Sequence, residues 1–314
     1  MRILITGVGG FVGSHLAEHF VREGHDVSGL LRTVRVKSVL VRKGIHKDIN
    51  LHHADIRNRD EVRNVFASED FDCVIHCAAI AIVKRASKFP SWTYLTNVIG
   101  TLNVLECAEM AGVHKFIFQS TDKVYGEKMS AREDDAVVAS GAYETSKACA
   151  DLAVQSFMIS SLCSGGRIDF IQIVRSCNVY GYDPYSPRII PNTIKACLTG
   201  KSPIIYHEEG APSQRQYLHI SDLCAAYSTL LKHEESGIFN VGSYDVLSQE
   251  EVVKTILKFF PHIKPSYVEK EEKCEEIWAQ SLAWDRMRLL GWKPRMTFEE
   301  GIKKTIEEFR ELRW

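Results

Sequence analysis

Residues 6–13 read T-G-V-G-G-F-V-G, between an apolar run, I-L-I, and an amphipathic pattern that ends at Gly24. This order predicts a strand, a tight turn and a helix. Glycine permits such a turn, lets backbone amides approach a pyrophosphate and lets the helix pack on the strand, while the helix N-terminus favours negative charge. The strand-to-helix context favours a dinucleotide-binding turn over an ordinary glycine-rich one. The candidate cofactor contacts here are Gly7, Gly10, Phe11, Val12 and Gly13.

Further apolar, β-branched runs follow, with helical patterns between most of them. Together with the first, these runs cover residues 3–6, 26–31, 73–77, 116–120 and 170–174, and the helical patterns include 59–67, 92–111 and 143–162. The alternation predicts an α/β fold with a doubly wound parallel sheet, a Rossmann domain, whose ligands bind at the carboxyl ends of the strands. Frequent prolines after about residue 176 indicate a smaller, mixed C-terminal substrate lobe. We expect domains at 1–175 and 176–314, with room for the chain to cross back between them.

The composition is that of a soluble globular protein. The 314 residues are 45% hydrophobic and carry a net charge of −1, so nothing in the charge balance demands nucleic acid. No apolar run reaches the ~20 residues that span a bilayer, and the first strand begins too early for a signal peptide. Nine cysteines without a C-x-x-C pair indicate reduced thiols and a cytoplasmic location. His15 and His19 are four residues apart without an apparent third ligand, so no metal site is predicted.

Arg32 follows the second predicted strand, where an acidic residue would bind the free 2′-hydroxyl of an adenosine ribose. An arginine cannot accept that hydrogen bond but can pair with a 2′-phosphate, so NADP is favoured over NAD. The alternatives are a solvated loop arginine and an arginine that stacks on the adenine of NAD. Asp55 and Ile56 are placed to meet the adenine, and Ala78 and Ala79 would let the cofactor backbone pass closely.

Tyr143 and Lys147 lie one helical turn apart on the same predicted face. The Lys147 ammonium could lower the pKa of the phenol and also reach the nicotinamide ribose. A phenolate near neutral pH is a usable general base. The spacing is common by chance on helices, where tyrosine packs and lysine is solvated, but the upstream glycine turn favours the catalytic interpretation.

A third group, S-T-D-K-V-Y-G at residues 120–126, ends the predicted strand at 116–120. It would direct a hydroxyl, a carboxylate and an ammonium group into the same crevice. With these residues the chain resembles the extended short-chain dehydrogenase/reductase family of nucleotide-sugar epimerases and dehydratases. The resemblance covers essentially the whole length and includes N-V-I-G-T at 97–101, N-V-Y-G at 178–181 and F-N-V-G at 239–242. It implies a cofactor contact at Asn97 and catalytic roles for Thr121, Tyr143 and Lys147.

Within this family, the two residues after the strand-five threonine help to separate the reactions. Epimerases typically have small residues there, whereas 4,6-dehydratases have two acid-base groups. Asp122-Lys123 resembles the CDP-glucose 4,6-dehydratases, which implies a lyase that forms a 4-keto-6-deoxy sugar nucleotide with a tightly bound cofactor. Tyr143 would take the O4 proton as C4 is oxidised, and Asp122 and Lys123 would then eliminate water across C5 and C6, before hydride returns to C6.

Three questions stay open at this point. The resemblance does not say which of Asp122 and Lys123 is the acid and which is the base. A surface ion pair between the two is the structural alternative. A nucleotide-sugar 4-epimerase or 4-keto reductase that uses the same tyrosine is the alternative function.

The resemblance also implies substrate contacts. Asn178 and Arg215 match family positions near the diphosphate, Thr121 would bond the sugar oxygen, and Lys84 and Arg85 could face the diphosphate. Gln216 replaces the aspartate that usually follows the arginine, which leaves the geometry of this loop open. The implied substrate is a CDP-, UDP-, dTDP- or GDP-linked hexose. Family members are commonly dimers through a four-helix bundle, so a homodimer through the helices at 92–111 and 143–162 is expected.

Overall fold

A computed structural model, which describes residues 1–207, 213–269, 278–312 and 314, contains the predicted parallel sheet. The strands are β1 (Arg2–Thr6), β2 (Asp26–Leu31), β3 (Asn50–His53), β4 (Cys73–His76), β5 (Lys115–Thr121), β6 (Lys128–Ala131), β7 (Phe170–Ser176), β8 (Asn178–Tyr180), β9 (Ile204–His207), β10 (Gln214–His219), β11 (Gly237–Val241), β12 (Val246–Ser248), β13 (Ser266–Glu269) and β14 (Ala279–Leu282). Seven of them form one sheet in the order β11-β7-β5-β4-β1-β2-β3. All neighbours in this sheet are parallel, and the order reverses between β1 and β4. The predicted α/β doubly wound fold is therefore confirmed.

Helices cover both faces of this sheet. They are α1 (Phe11–Arg22), α2 (Val39–Arg42), α3 (Arg59–Ser68), α4 (Val83–Lys88), α5 (Pro90–Tyr94), α6 (Gly100–Ala111), α7 (Gly141–Ser164), α8 (Ile189–Leu198), α9 (Ile220–Lys232), α10 (Gln249–Leu257), α11 (Asp285–Leu289) and α12 (Phe298–Glu311). Short 3-10 helices lie at Ile45–Lys47 and Asp122–Tyr125, and a π-helical turn lies at Leu95–Ile99. Successive side chains of a strand point in opposite directions, so β1 packs against the helices on both faces of the sheet.

Ile3 and Ile5 belong to an apolar core that includes residues of α1 and α9. Leu4, between them, belongs to a second core that includes residues of α3, α6 and α7. All three side chains are fully buried, and each burial stabilises the fold by roughly 1.5–3 kcal/mol. The apolar run before the glycine turn therefore fixes β1 in the middle of a three-layer structure.

Most boundaries lie within a few residues of the prediction. β2 has the predicted bounds, while β5 and β7 extend to Thr121 and Ser176. The helix predicted at 92–111 starts at Pro90 and contains the π-helical turn, and the one predicted at 143–162 is α7. Proline suits a first helical turn because it has no amide hydrogen to leave unpaired.

Pairing between distant parts of the chain builds the remaining layers. A second sheet has the order β12-β10-β14-β6, and β8 also pairs with β10. β6 reaches this sheet from the first half of the chain, whereas β11 returns from the second half to extend the Rossmann sheet beside β7. The chain therefore passes between the two sheets more than once, and the edge where they meet carries the candidate site.

Two sequence-based expectations concern membrane insertion and the state of the cysteines. No helix in the described ranges is long and apolar enough to cross a membrane. The eight cysteines among the described residues are unpaired, and Cys274 lies outside those residues.

Candidate functional site

The glycine turn forms a narrow cradle between β1 and α1. Gly7 has φ +70°, and a Cβ atom there would lie 2.7 Å from the backbone nitrogen of Ala78. Gly13 packs behind it, where a Cβ atom would lie 2.5 Å from the Gly7 carbonyl oxygen. Gly10 precedes α1 without a side chain to cap the helix, so the first amides of α1 stay available to an anion. The cradle therefore fits a pyrophosphate held by backbone amides.

A cleft of about 610 Å³ opens from this cradle along the carboxyl ends of β1, β2 and β4. Of the predicted cofactor contacts, Gly7, Gly10, Arg32, Asp55, Ile56, Ala78 and Ala79 line it. Phe11 instead lines a neighbouring cavity, and Val12 packs against the apolar core under α1. The volume and the bare backbone rim suit a dinucleotide, which would lie across the strand ends at the point where the strand order reverses.

Asn97 differs from its expected role as a direct cofactor contact. Its side chain is buried; Oδ1 accepts from the Ile80 amide at 2.7 Å, and Nδ2 donates to the Ile80 carbonyl and to Ser146 Oγ. The amide therefore holds the loop after β4, which lines the cleft, against α7. Asn97 is placed to position the cleft wall rather than to face the cleft.

Charged residues surround the outer end of the cleft. Arg32 is exposed and lies 3.7 Å from Asp55, whose carboxylate is held more closely by Arg57 at 2.5 and 2.9 Å. The hydrogen bond from Arg57 lowers the pKa of Asp55, so this carboxylate stays ionised. Arg85, predicted to face the substrate, also lines this cleft. Lys84, which was predicted to do the same, is exposed on α4 and lines neither this cleft nor the neighbouring cavity that Phe11 lines.

Thr121, Asp122 and Lys123 stand where β5 passes into a four-residue 3-10 helix. Thr121 Oγ1 donates to Asp122 Oδ1 at 3.1 Å and accepts from the Lys123 amide at 3.4 Å. Asp122 is only 2% exposed, and its Oδ2 has no hydrogen-bond partner among the described residues. Burial raises the pKa of Asp122, against the opposing effects of Lys123, Thr121 and Arg215. Asp122 and Lys123 therefore do not form a surface ion pair, because Asp122 is buried.

Tyr143 and Lys147 lie on the first turns of α7, and both are buried. Lys147 Nζ donates to the Gln119 carbonyl at 2.7 Å and lies 4.1 Å from the centre of the Phe118 ring. Burial lowers the pKa of Lys147 to about 8. Burial also raises the pKa of Tyr143 to about 12, opposed by the charge of Arg188 and a hydrogen bond with Thr121. The expected lowering of the Tyr143 pKa by Lys147 is not found, because desolvation outweighs every neighbouring charge and the ammonium is directed at β5.

A second cavity, of about 260 Å³, lies beside β8 and β10. Asn178 and Arg215, both predicted, line it together with Arg188, which the sequence analysis missed. Asn178 Nδ2 is buried without a partner among the described residues, and Arg215 Nη1 donates to the Trp278 carbonyl at 2.7 Å. Only a proline before it marks Arg188 in the sequence, and a solvated loop arginine would look the same. The cavity joins an unpaired amide donor to two cations, which suits a diphosphate.

Gln216 occupies the position where the resemblance leads us to expect aspartate. It is buried; its Nε2 donates to the Ser243 carbonyl at 2.6 Å, and its Oε1 accepts from the Leu282 amide at 3.0 Å. The side chain therefore joins β10 to β14 inside the second sheet. Nothing among the described residues groups three metal-ligating side chains.

Comparisons with known proteins agree with this geometry. The profile of the NAD dependent epimerase/dehydratase family matches residues 3–242. The dTDP-D-glucose 4,6-dehydratase of Mus musculus is 31% identical over 98% of this chain and 88% of its own length. The UDP-glucose 4-epimerase of Thermus thermophilus, solved in complex with NAD, has a TM-score of 0.87 and 27% identity over 99% of both chains. The dTDP-glucose 4,6-dehydratase of Streptomyces venezuelae, solved with NAD bound, has a TM-score of 0.85 and 26% identity over 99% of this chain and 97% of that one.

The glycine cradle, the buried Tyr143 and Lys147 and the profile match over most of the chain point the same way. Its relatives include dTDP-D-glucose 4,6-dehydratases, and its structural neighbours include UDP-glucose 4-epimerases. The chain belongs to the NAD dependent epimerase/dehydratase family of the extended short-chain dehydrogenases/reductases.

Proposed function

We propose that the protein is a nucleotide-sugar 4,6-dehydratase. The observation that carries the proposal is the buried Asp122 next to the half-buried Lys123, one residue beyond Thr121. An epimerase needs only proton exchange at O4, for which Tyr143 and Thr121 suffice. A buried carboxyl whose pKa is raised, with an amine beside it, adds the acid and the base that an elimination requires.

The roles of the two groups follow from their surroundings. Thr121 donates to Asp122 Oδ1, so a proton on the carboxyl sits at Oδ2, which has no partner among the described residues. We therefore assign Asp122 as the acid that protonates the leaving 6-hydroxyl and Lys123 as the base at C5.

The steps balance to the loss of one water. Because burial raises the pKa of Tyr143 to about 12, its minor phenolate form removes the O4 proton while C4 is oxidised. The resulting ketone acidifies the C5 hydrogen. Lys123 takes the C5 proton, the C6–O bond breaks, and Asp122 protonates the departing hydroxide. When bound, the dinucleotide supplies the hydride acceptor for C4 and the hydride that returns to C6. Lys123 then gives a proton back to C5, the O4 proton passes from Tyr143 to solvent, and Asp122 regains a proton from solvent.

The test is mass spectrometry after incubation with CDP-glucose, UDP-N-acetylglucosamine, UDP-glucose, dTDP-glucose and GDP-mannose, without added reductant. A product lighter by one water supports the dehydratase and names its substrate. An isomer of unchanged mass would overturn it in favour of a 4-epimerase, the reaction of the Thermus thermophilus neighbour. Asp122→Asn should abolish water loss, whereas Asp134→Asn, at a carboxylate 87% exposed, should not.

For the cofactor we propose a preference for NADP over NAD. Arg32 and Arg35 line the outer end of the cleft, where no acidic residue ends β2. Asp55 opposes this preference, since it lies 3.7 Å from Arg32, but it is already paired with Arg57. Arg32→Ala should weaken NADP binding and leave NAD binding nearly unchanged; equal losses for both would contradict a role in reading the 2′-phosphate.

We further propose that the protein acts as a cytoplasmic homodimer through the helices at 90–111 and α7. Apolar side chains are exposed along both, and they include Trp92, Leu95, Ile99, Leu152 and Ile159. Several large apolar side chains exposed on neighbouring helices are more typical of a protein–protein interface than of a surface that faces solvent. Light scattering should give twice the chain mass, and Ile159→Lys should shift the protein to a monomer. The unpaired cysteines are consistent with a reducing compartment.

A further inference from the structure

Gln280 connects the turn that carries Asp122 and Lys123 to the second sheet. It lies on β14 and is only 1% exposed. Its Nε2 donates to the Asp122 carbonyl at 2.8 Å and to the Gly126 carbonyl at 3.0 Å. One buried amide therefore holds the first residue of the 3-10 helix and the glycine that follows it.

The orientation of this amide follows from its partners. Both partners are carbonyl oxygens, which only accept, so the nitrogen must face them. The Gln280 Oε1 atom is buried with no hydrogen-bond partner among the described residues. The side chain is therefore placed for its two donor bonds alone, at the cost of an unsatisfied oxygen.

The 3-10 turn depends on such support. It is four residues long and is followed by Gly126, which has φ +68° and where a Cβ atom would clash with the Val138 carbonyl oxygen. Short 3-10 helices have poor internal hydrogen-bond geometry. Other outside bonds hold the later part of the turn: the Val138 amide donates to the Val124 carbonyl, and the Tyr125 hydroxyl bonds to Asn240 and Arg175. Gln280 differs because it holds the backbone of Asp122 itself.

The same strand also contacts the substrate side of the site. In the register of the second sheet, Gln280 lies opposite Arg215 on β10 and opposite Lys128 on β6. Arg215 donates to the carbonyl of Trp278, two residues before Gln280. β14 therefore ties the position of the acid-base turn to the position of an arginine in the substrate cavity.

We propose that Gln280 is a positioning residue for the elimination step, acting through Asp122 and Lys123. This inference rests on the proposed dehydratase function. C4 oxidation depends on Tyr143 and Lys147, which α7 holds independently, so loss of the Gln280 amide should slow elimination and spare oxidation. A displacement of about 1 Å in an acid-base group can cost about 100-fold in rate.

The experiment uses whichever of the five sugar nucleotides loses water with the wild-type protein. For Gln280→Leu, kcat should fall about 100-fold with KM within about twofold. In a single turnover, the absorbance of reduced nicotinamide should rise at the wild-type rate and then persist, because oxidation outruns elimination. Gln280→Asn keeps the donor on a shorter side chain and should show a smaller effect of the same kind; it carries the test if the leucine variant does not fold.

Gln172→Leu is the matched control. Gln172 is also fully buried, donates through Nε2 to three backbone carbonyls and has an Oε1 with no partner in the part of the chain that the structure describes. Its partners, however, lie at the end of α9 and in the loop after it. It should lower stability without a build-up of reduced nicotinamide. Equal slowing of oxidation and elimination in the Gln280 variants, or a build-up in Gln172→Leu as well, would overturn the positioning role. No water loss by the wild-type protein would instead refute the dehydratase.

Discussion

The buried ion pair between Arg175 and Asp151 lies next to the turn that carries Asp122 and Lys123, because it bonds to Ser120 and Tyr125. Arg175→Met tests how much this pair stabilises the fold. The two side chains are 1% and 0% exposed. Arg175 donates to both Asp151 oxygens, at 2.8 and 3.0 Å, and to the Tyr125 hydroxyl at 2.8 Å. Asp151 accepts two further bonds, from Ser120 at 2.6 Å and Gln155 at 2.7 Å.

The substitution removes the positive partner and leaves a buried carboxylate with two of its four donors. Breaking a buried pair in this way costs about 3–5 kcal/mol, because the remaining charge has lost its compensation. Arg288→Met is the matched control, since Arg288 contacts Asp285 at the same 2.8 Å but both side chains are more than half exposed. An exposed pair contributes about 0–1 kcal/mol.

Equilibrium urea unfolding followed by circular dichroism would measure both free energies. The double variant Arg175→Met with Asp151→Leu should recover much of the loss, because it removes both charges and keeps apolar volume. If Arg175→Met and Arg288→Met destabilise the protein equally, burial does not set the strength of the pair and the reasoning fails.

Three further predictions concern the cofactor cradle, the general base and acid stability. Gly7→Ala should abolish dinucleotide binding, measured by fluorescence quenching, because its Cβ would lie 2.7 Å from the Ala78 backbone; Gly44→Ala, at a similar φ of +75° but in open space, should retain it. Tyr143→Phe should lower kcat by about 10²–10⁴ while cofactor binding persists; unchanged turnover would exclude Tyr143 as the base. Burial lowers the pKa of His76 to about 3, so the unfolded chain binds a proton below about pH 6.5 that the folded chain does not. Stability should therefore fall by about 1.4 kcal/mol per pH unit as the pH drops from 6.5 towards 3, and His76→Gln should remove that part of the slope in urea titrations.

The sequence predicted the parts of the fold that local patterns encode. β2 has the predicted bounds, and the glycine turn has the conformation that its residues require. β6 and β11 could not be placed in the same way, because their sheets are chosen by pairing with strands far away in the chain. A four-residue strand such as β6 has no periodicity long enough to reveal its partner.

In the candidate site too, residues in local sequence patterns could be predicted, and residues placed by distant contacts could not. Thr121, Tyr143 and Lys147 could be named because they occur at fixed spacings beside recognisable strands and helices. Arg188 and Gln280 could not, since an arginine after a proline and a glutamine in a polar strand have no distinguishing neighbours. The direction of the Tyr143 pKa was also predicted wrongly, because spacing reveals which charges are near but not how deeply the phenol is buried.

The division of labour within the site has a structural basis. The groups proposed for oxidation at C4 stand on long elements of the Rossmann domain, Thr121 at the end of a seven-residue strand and Tyr143 and Lys147 on a 24-residue helix. The groups proposed for elimination stand on a four-residue turn, and the backbone of its first residue, Asp122, is held by an amide of the second sheet. An epimerase and a dehydratase can thus share the overall fold at TM-scores of 0.87 and 0.85 to this chain, because that fold supplies what both reactions need. In the proposed dehydratase, elimination is added by two residues of the turn and by the strand that fixes them.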